Sequence, residues 1–441
     1  MRFTFVAALF SIVLYIGSNA ESVNTLGGVI NYDEKWGYTT VRSKAHTFWW
    51  LYAANNPLPS RPLLLWLQGG PGASGTGFGN FNELGPKDIH GNDNNGTWLQ
   101  VGDLVFVDNP VGTGFSYVES LNAYSQNNHQ TGADLVAWAT DFFTLHSEYA
   151  SRPFYIFCES YGGKMSAEFA SQLQTAIGAG KIRVNFRGVA LGDSWISPMD
   201  YVNTWGSYLK SLSLLDDKDL ARVNTQAKHC QSLVNTNQWL EATLCWGTMQ
   251  DVVGNVTNGV SWYNVLKRAD TDEWSRFEKQ PLERLFDTQI SPLQTDELSD
   301  YMNGPVRQKL GIIPKNVRWG GQSKEVFISL EDDLMKPVIA TVDSLLQAGL
   351  RVIVYNGQVD LICDTLGTEA WVNKLTWPGL SSWNATNRQP FHVGSSPESY
   401  QTAGFVKQYQ NFQFWFILRA GHMVAYDAKE AAVYMLKTIT A

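Results

Sequence analysis

Short, continuous apolar runs recur at Leu63 to Gln68, Leu104 to Asp108, Phe154 to Cys158, Val189 to Leu191, Arg351 to Tyr355 and Phe412 to Leu418. Runs of this length without alternation predict strands buried on both faces, as in a parallel sheet. Between several of them the apolar period lengthens. Ala133 to Tyr149 places Leu135, Trp138, Phe142, Phe143 and Leu145 on one helical face. Leu334, Val338, Ile339, Val342, Leu345 and Leu346 repeat at three and four, which predicts a second helix. Ser329 and Asp332 are spaced as its capping box, and Gly349 supplies its stop. Trp36 to Ala53 alternates instead and is rich in aromatic residues, the pattern of antiparallel strands at a sheet edge. Strands alternating with helices give an α/β sheet. From about Trp195 to Gly321 the strand-like runs vanish, and helix-prone pieces such as Ser213 to Val223 and Thr271 to Leu285 are joined by polar loops. This predicts an inserted helical cap at 195–321, between two parts of a core at 21–194 and 322–441.

The first twenty residues belong to neither. Met1-Arg2 precede an apolar run from Phe3 to Ile16 and the small, polar stretch Gly17-Ser18-Asn19-Ala20, which reads as a secretory signal peptide cleaved after Ala20. The run is shorter than a bilayer span needs, and no later stretch of about 18 apolar residues follows, so no membrane span is expected. The expected location is therefore outside the cell or in a lysosome. Sequons at Asn95, Asn255 and Asn384 fit the same route as glycosylation sites. Hydrophobic residues make up 44% of the 441-residue chain and charged ones 17%, enough to bury a large core. With a net charge of −8 and no basic run, nucleic acid is excluded as a partner. Only four cysteines occur, so the fold is not a disulfide scaffold. Cys230 and Cys245 are the expected bridge, while Cys158 and Cys363, in apolar or site-flanking contexts, read as buried free thiols.

Four short segments carry candidate chemistry. In Phe157-Cys158-Glu159-Ser160-Tyr161-Gly162-Gly163 a serine sits between a strand and a helix, the place of a nucleophile elbow. Cys158 stands where the Gly-x-Ser-x-Gly pattern asks for glycine. On this segment alone Ser160 could instead be a helix cap. Trp66 to Gly75 also follows a strand, and Gly70, Gly72 and Gly75 satisfy a dinucleotide-binding spacing. That reading fails because Pro71 lacks an N–H, a Gly- and Asn-rich loop follows in place of an amphipathic helix, and no acidic strand end lies about 20 residues on. Bare backbone above an early strand suits half of an oxyanion hole instead. Val354 to Asp360 ends a strand on a carboxylate, and Leu418 to Met423 ends one on His422. Ser160, Asp360 and His422, in that order at three strand ends, are the arrangement of the α/β-hydrolase fold. No metal-ligand cluster such as His-Glu-x-x-His competes, and no metal or cofactor is expected.

Gln68-Gly69-Gly70-Pro71-Gly72, Glu83-Leu84-Gly85-Pro86, Asp108 to Ser116, Glu159-Ser160-Tyr161 and Gly421-His422-Met423 together resemble the serine carboxypeptidases over nearly the whole mature chain. Gln68 in place of the commoner Asn, Gly163-Lys164 and Gly357 to Asp360 look most like one branch of that family. The resemblance implies an α/β-hydrolase core and removal of single residues from the C-termini of peptides or proteins. Ser160 would be nucleophile, His422 base and Asp360 its orienting acid. The N–H groups of Gly70 and Tyr161 would hold the oxyanion. Gln68, Gly69, Glu83 and Glu159 would hold the substrate's terminal carboxylate. Gln68, Cys158 and Ala73, where many relatives carry a disulfide cysteine, depart from the family pattern and bear on substrate preference. Two glutamates beside an anionic terminus require a shared proton, so a bell-shaped kcat/KM centred below neutrality is expected. Related folds with the same triad serve as acyltransferases or hydroxynitrile lyases, and a secreted binding or scaffold protein could keep the shell alone. The glutamate pair favours the peptidase.

Overall fold

The computed structural model describes residues 20–25, 28–55, 60–269, 281–394 and 399–441. Its strands are β1 (Ala20–Thr25), β2 (Gly28–Arg42), β3 (Ala45–Ala54), β4 (Leu63–Leu67), β5 (Asp103–Val107), β6 (Tyr117–Val118), β7 (Pro153–Ser160), β8 (Asn185–Ser194), β9 (Arg351–Gly357), β10 (Gln389–Val393), β11 (Gln401–Tyr409) and β12 (Phe412–Ile417). They form one sheet in the order β1-β2-β3-β5-β4-β7-β8-β9-β12-β11-β10, with β6 on β3. Pairing is parallel from β5 through β4, β7, β8 and β9 to β12, and antiparallel at both edges. The parallel strands are the predicted continuous apolar runs, buried along almost their whole length. Alternation in Trp36 to Ala53 becomes the β2–β3 hairpin at one edge, where Trp36 and Trp50 pack edge to face. The sheet with its covering helices is the α/β-hydrolase fold.

Helix α1 (Asn128–Leu145) starts five residues before its apolar pattern because the Asn127 side chain accepts from the Gln130 N–H and caps it. A 3₁₀ turn at Ser147–Tyr149 takes the place of its last predicted turn. Helix α2 (Gly162–Gly178) follows β7 at once and packs its apolar face on α1 and β8.

Two local readings need correction. The helix expected from Leu334 does not begin until Ile339, and it runs to Gln347. Pro337 lacks an N–H and disfavours helical geometry at Lys336, so residues 330–335 turn irregularly after a separate helix at Ser323–Ser329. Ser329 donates to the Val326 carbonyl and caps nothing, so no capping box forms with Asp332. The stretch after the glycine loop is not irregular: it winds into a π-helix at Gly75–Leu84, capped by the Ser74 hydroxyl, which accepts the Gly77 N–H at 2.9 Å. Gly79 lets that helix press on Trp66 and Gln68, where a side chain would collide.

Between β8 and β9 the named elements are helical, among them α3 (Pro198–Ser211), α4 (Asp217–Asn235), α5 (Trp239–Thr257) and α6 (Pro281–Gln289). Helix α4 starts four residues later than expected, capped by Asp216, because Ser213 turns with positive φ. The first part of the expected Thr271 to Leu285 helix, like the signal segment apart from Ala20, lies outside the described residues. Cys230 on α4 is bonded to Cys245 on α5, and Cys158 and Cys363 are free and buried. Closing a loop of about fifteen residues restricts the unfolded chain, so replacing both bridged cysteines by Ala is expected to cost about 3 kcal/mol in urea unfolding. The three sequon asparagines, Asn95, Asn255 and Asn384, are exposed. No helix among the described residues is long and apolar enough to cross a membrane.

Candidate active site

β7 ends at Ser160 and α2 starts at Gly162, so one residue turns strand into helix. Ser160 takes φ 61°, a left-handed conformation that costs a non-glycine residue about 1–3 kcal/mol and is held here by the surrounding sheet. The Trp195 N–H ties down its carbonyl at 2.9 Å. Cys158, at the first position of the elbow pattern, fits because its thiol turns into the sheet, 3.3 Å from the Ala190 carbonyl oxygen on β8.

The C-terminal ends of β7, β9 and β12 open on one edge of the parallel sheet, with β8 between the first two. Beyond β9 the chain reaches Asp360, and beyond β12 it reaches His422. The His422 Nδ1 and the Asp360 Oδ2 are 2.8 Å apart, and both residues are buried. Asp360 also accepts the Ile362 N–H at 3.1 Å. Gly357 permits this meeting: a Cβ there would lie 2.0 Å from the Gly421 carbonyl oxygen, so any side chain would force the two loops apart. The His422 backbone donates to the Tyr263 carbonyl at 2.8 Å, and its ring lies 5.1 Å from the Tyr263 ring, both contacts from the helical insertion.

The glycine loop after β4 lies directly on the elbow. A Cβ on Gly69 would come 2.5 Å from the Ser160 Cβ and 3.0 Å from the Tyr161 nitrogen. Bare backbone is therefore a steric requirement there, and the loop and the Tyr161 N–H border one space. At the same place β4 delivers Gln68, β7 delivers Glu159, and the π-helix delivers Glu83, all buried. The Gln68 Nε2 donates to the Glu159 Oε1 at 2.9 Å while its Oε1 accepts the Trp66 indole N–H at 2.6 Å. This fixes the amide orientation. Burial pushes the Glu83 carboxyl up to about 8, with Glu159 as its neighbour, and both Glu83 oxygens are buried without a donor among the described residues. Burial, and then the Glu83 charge, raise Glu159 far above the carboxylate range. At neutral pH both carboxyls therefore keep their protons.

Several supporting residues lie outside the four candidate segments. Asp427 accepts the Gly421 N–H at 2.8 Å and the Asn264 amide at 3.2 Å, bracing the loop that carries His422. Lys164, wholly buried in the first turn of α2, pairs with Asp333 at 2.9 Å, and the Tyr161 hydroxyl donates to the same carboxylate at 2.9 Å. That pair pulls residues 330–335 inward and anchors the ring beside the elbow. Asp193, at the end of β8, also adjoins Asp360.

A hydroxyl on a strained turn, an imidazole held by a buried acid, and bare glycine backbone are the parts of nucleophilic acyl transfer. Beside them lie the buried carboxyls of Glu83 and Glu159 and the Gln68 amide. Comparison with known proteins agrees with this chemistry. The serine carboxypeptidase family model matches residues 25–441. The chain is 49% identical to the retinoid-inducible serine carboxypeptidase of Rattus norvegicus over 94% of either chain, and 47% identical to that of Homo sapiens over 98% of this chain and 96% of the other. It is 39% identical to serine carboxypeptidase-like 51 of Arabidopsis thaliana, covering 92% of each. Among solved structures, a prohormone-processing carboxypeptidase of Saccharomyces cerevisiae shares the fold, with a TM-score of 0.78 at 22% identity, covering 93% of this chain and 91% of the other.

Proposed function

The chain belongs to the serine carboxypeptidase family and is a serine-type carboxypeptidase acting on peptides, and from that premise we propose how its residues divide the reaction. Ser160 Oγ attacks the carbonyl of the last peptide bond, and His422, steadied through Nδ1 by Asp360, removes the hydroxyl proton through Nε2. The N–H groups of Gly70 and Tyr161 receive the developing oxyanion. The tetrahedral intermediate collapses as His422 returns the proton to the leaving amine, which departs as a free amino acid. Water then attacks the acyl-enzyme by the same route, giving back Ser160 and the shortened peptide.

The observation that carries exopeptidase action is the acid pocket beside the nucleophile: Gln68 bonded to Glu159, with Glu83 against it, all buried. Protonated carboxyls and an amide N–H can donate to a terminal carboxylate, whereas an internal peptide bond offers no such anion. The N–H of Gly69 completes this group. The same protons place the maximum of kcat/KM on the acid side of the Glu83 titration. A secretory route, with a cleaved leader and glycans on the three exposed asparagines, belongs to the same proposal and fits an extracellular or lysosomal enzyme.

The test is release of single amino acids from N-blocked dipeptides between pH 4 and 8, against the same dipeptides amidated at the C-terminus. Amidation removes the anion and is expected to lower kcat/KM about 100-fold or more, the loss of two charge-assisted hydrogen bonds. Equal cleavage of both forms would remove carboxylate recognition from this pocket.

A further inference from the structure

Behind the Asp360–His422 pair stands a third carboxyl. Asp193 closes β8, the strand between the one that ends in Ser160 and the one that leads to Asp360. It takes φ 38°, a left-handed conformation that Asp, Asn and Gly tolerate best. Its side chain is buried, and Oδ1 accepts the Gly357 N–H at 2.8 Å, the same glycine whose bareness lets the two catalytic loops meet. Oδ2 is buried with no donor among the described residues, and Asp360 is the charge that acts on the carboxyl most strongly.

Two neighbouring buried carboxylates cannot both be ionised, so one proton must be shared between them. Asp360 has the donors that stabilise a charge, the Ile362 N–H on Oδ1 and the His422 Nδ1 on Oδ2. Asp193 has the single Gly357 N–H. The other titratable groups around Asp193 are Asp427, Glu159, Cys363, Tyr208 and Tyr355, all of them neutral or anionic. None favours a second negative charge. We propose that Asp193 is a positioning residue of the triad, holding its proton on Oδ2 and donating it as a hydrogen bond to the Asp360 carboxylate. Burial, followed by the Asp360 charge, moves its titration in the required direction, well above the usual aspartate range. The bond fixes Asp360 against His422 and draws part of its charge away from the imidazole. This proposal rests on the triad roles given above.

The experiment compares the whole enzyme with Asp193→Gly and Asp193→Asn, using kcat, KM and the pH profile on a blocked dipeptide, fluorophosphonate labelling, and the thermal midpoint. Glycine suits φ 38° and removes only the carboxyl. It is expected to lower kcat about tenfold, the worth of one charge-assisted hydrogen bond, with KM changed less than about twofold. The acid limb of kcat/KM should move up by about half a unit, because undiluted Asp360 charge holds the His422 proton more tightly. Asparagine keeps an acceptor for Gly357 and a donor for Asp360, so it should recover most of kcat and the parent acid limb. Asp193→Gly with a lower midpoint but an unmoved limb would reduce Asp193 to a structural filler and overturn the proposal. A limb moved downward in Asp193→Asn would mean that Asp193 is ionised in the parent, which overturns it as well. A parent enzyme that fails to label would remove the triad reading itself, whereas a labelled parent with either of those outcomes overturns the positioning role alone.

Discussion

Ser160→Ala is expected to lower kcat about 10⁵-fold or more, to abolish fluorophosphonate labelling, and to leave the thermal midpoint within a few degrees. The size follows from what is lost. Without Oγ no acyl-enzyme can form, and only transition-state stabilisation by the loop backbone and the binding pocket remains. Stability is spared because the substitution keeps a Cβ on the same strained turn and removes one half-buried hydroxyl. The triad acts as a unit, so adding His422→Ala to Ser160→Ala should cost almost nothing further in kcat, although His422→Ala alone should cost nearly as much. Additive losses, or a Ser160→Ala enzyme within about 100-fold of the parent, would assign the nucleophile elsewhere.

What could be read from the sequence divides along a physical line. Ser160, Asp360 and His422 were legible because each terminates an uninterrupted apolar run, and in a parallel sheet all such ends fall on one edge. The edge hairpin was legible because alternation is a local property of β2 and β3. The helix at Leu334 was misjudged because the 3.6-residue period outweighed a single proline, although Pro337 forbids the turn that the period asks for. The π-helix at Gly75–Leu84 was missed for the opposite reason. Its glycines lower helix propensity, and each is explained only by close packing in the folded chain, Gly75 against the Val107 carbonyl, Gly77 against Trp319 and Gly79 against Trp66 and Gln68. Asp193, Asp427 and Asp333, the partner of Lys164, left no trace in pattern or spacing, since each acts on a partner more than 140 residues away or on a loop whose path the sequence does not state. Asp427 lies only six residues from Gly421, yet nothing in Val424 to Asp427 announces that its carboxylate turns back.

The pH profile should show the second large effect, a fall in kcat/KM of about tenfold per pH unit above roughly pH 8, so that about three units cost 10³. Below that value the Glu83–Glu159 pair holds its protons and meets an anionic terminus as a donor. Once the first proton leaves, the incoming carboxylate faces a like charge in a dry pocket, and binding fails. Burial places this limb higher than a solvated carboxyl would, which widens the bell whose other side is the protonation of His422. Replacing Glu83 by Gln supplies a donor that cannot titrate, so the alkaline decline should shift upward to the titration of Glu159, and Glu83→Gln combined with Glu159→Gln should abolish it. The sign in folding stability is fixed by the same shift. Glu83 ionises near 4.5 in the unfolded chain and near 8 when folded, so folding binds a proton between those values. Stability is thus fully present below about pH 4.5 and is lost as pH rises through 8, a slope that Glu83→Gln should flatten in thermal melts. A parent profile flat up to pH 10, or one unaltered in the double variant, would take the glutamates out of substrate binding and leave the acid pocket a structural feature of the core.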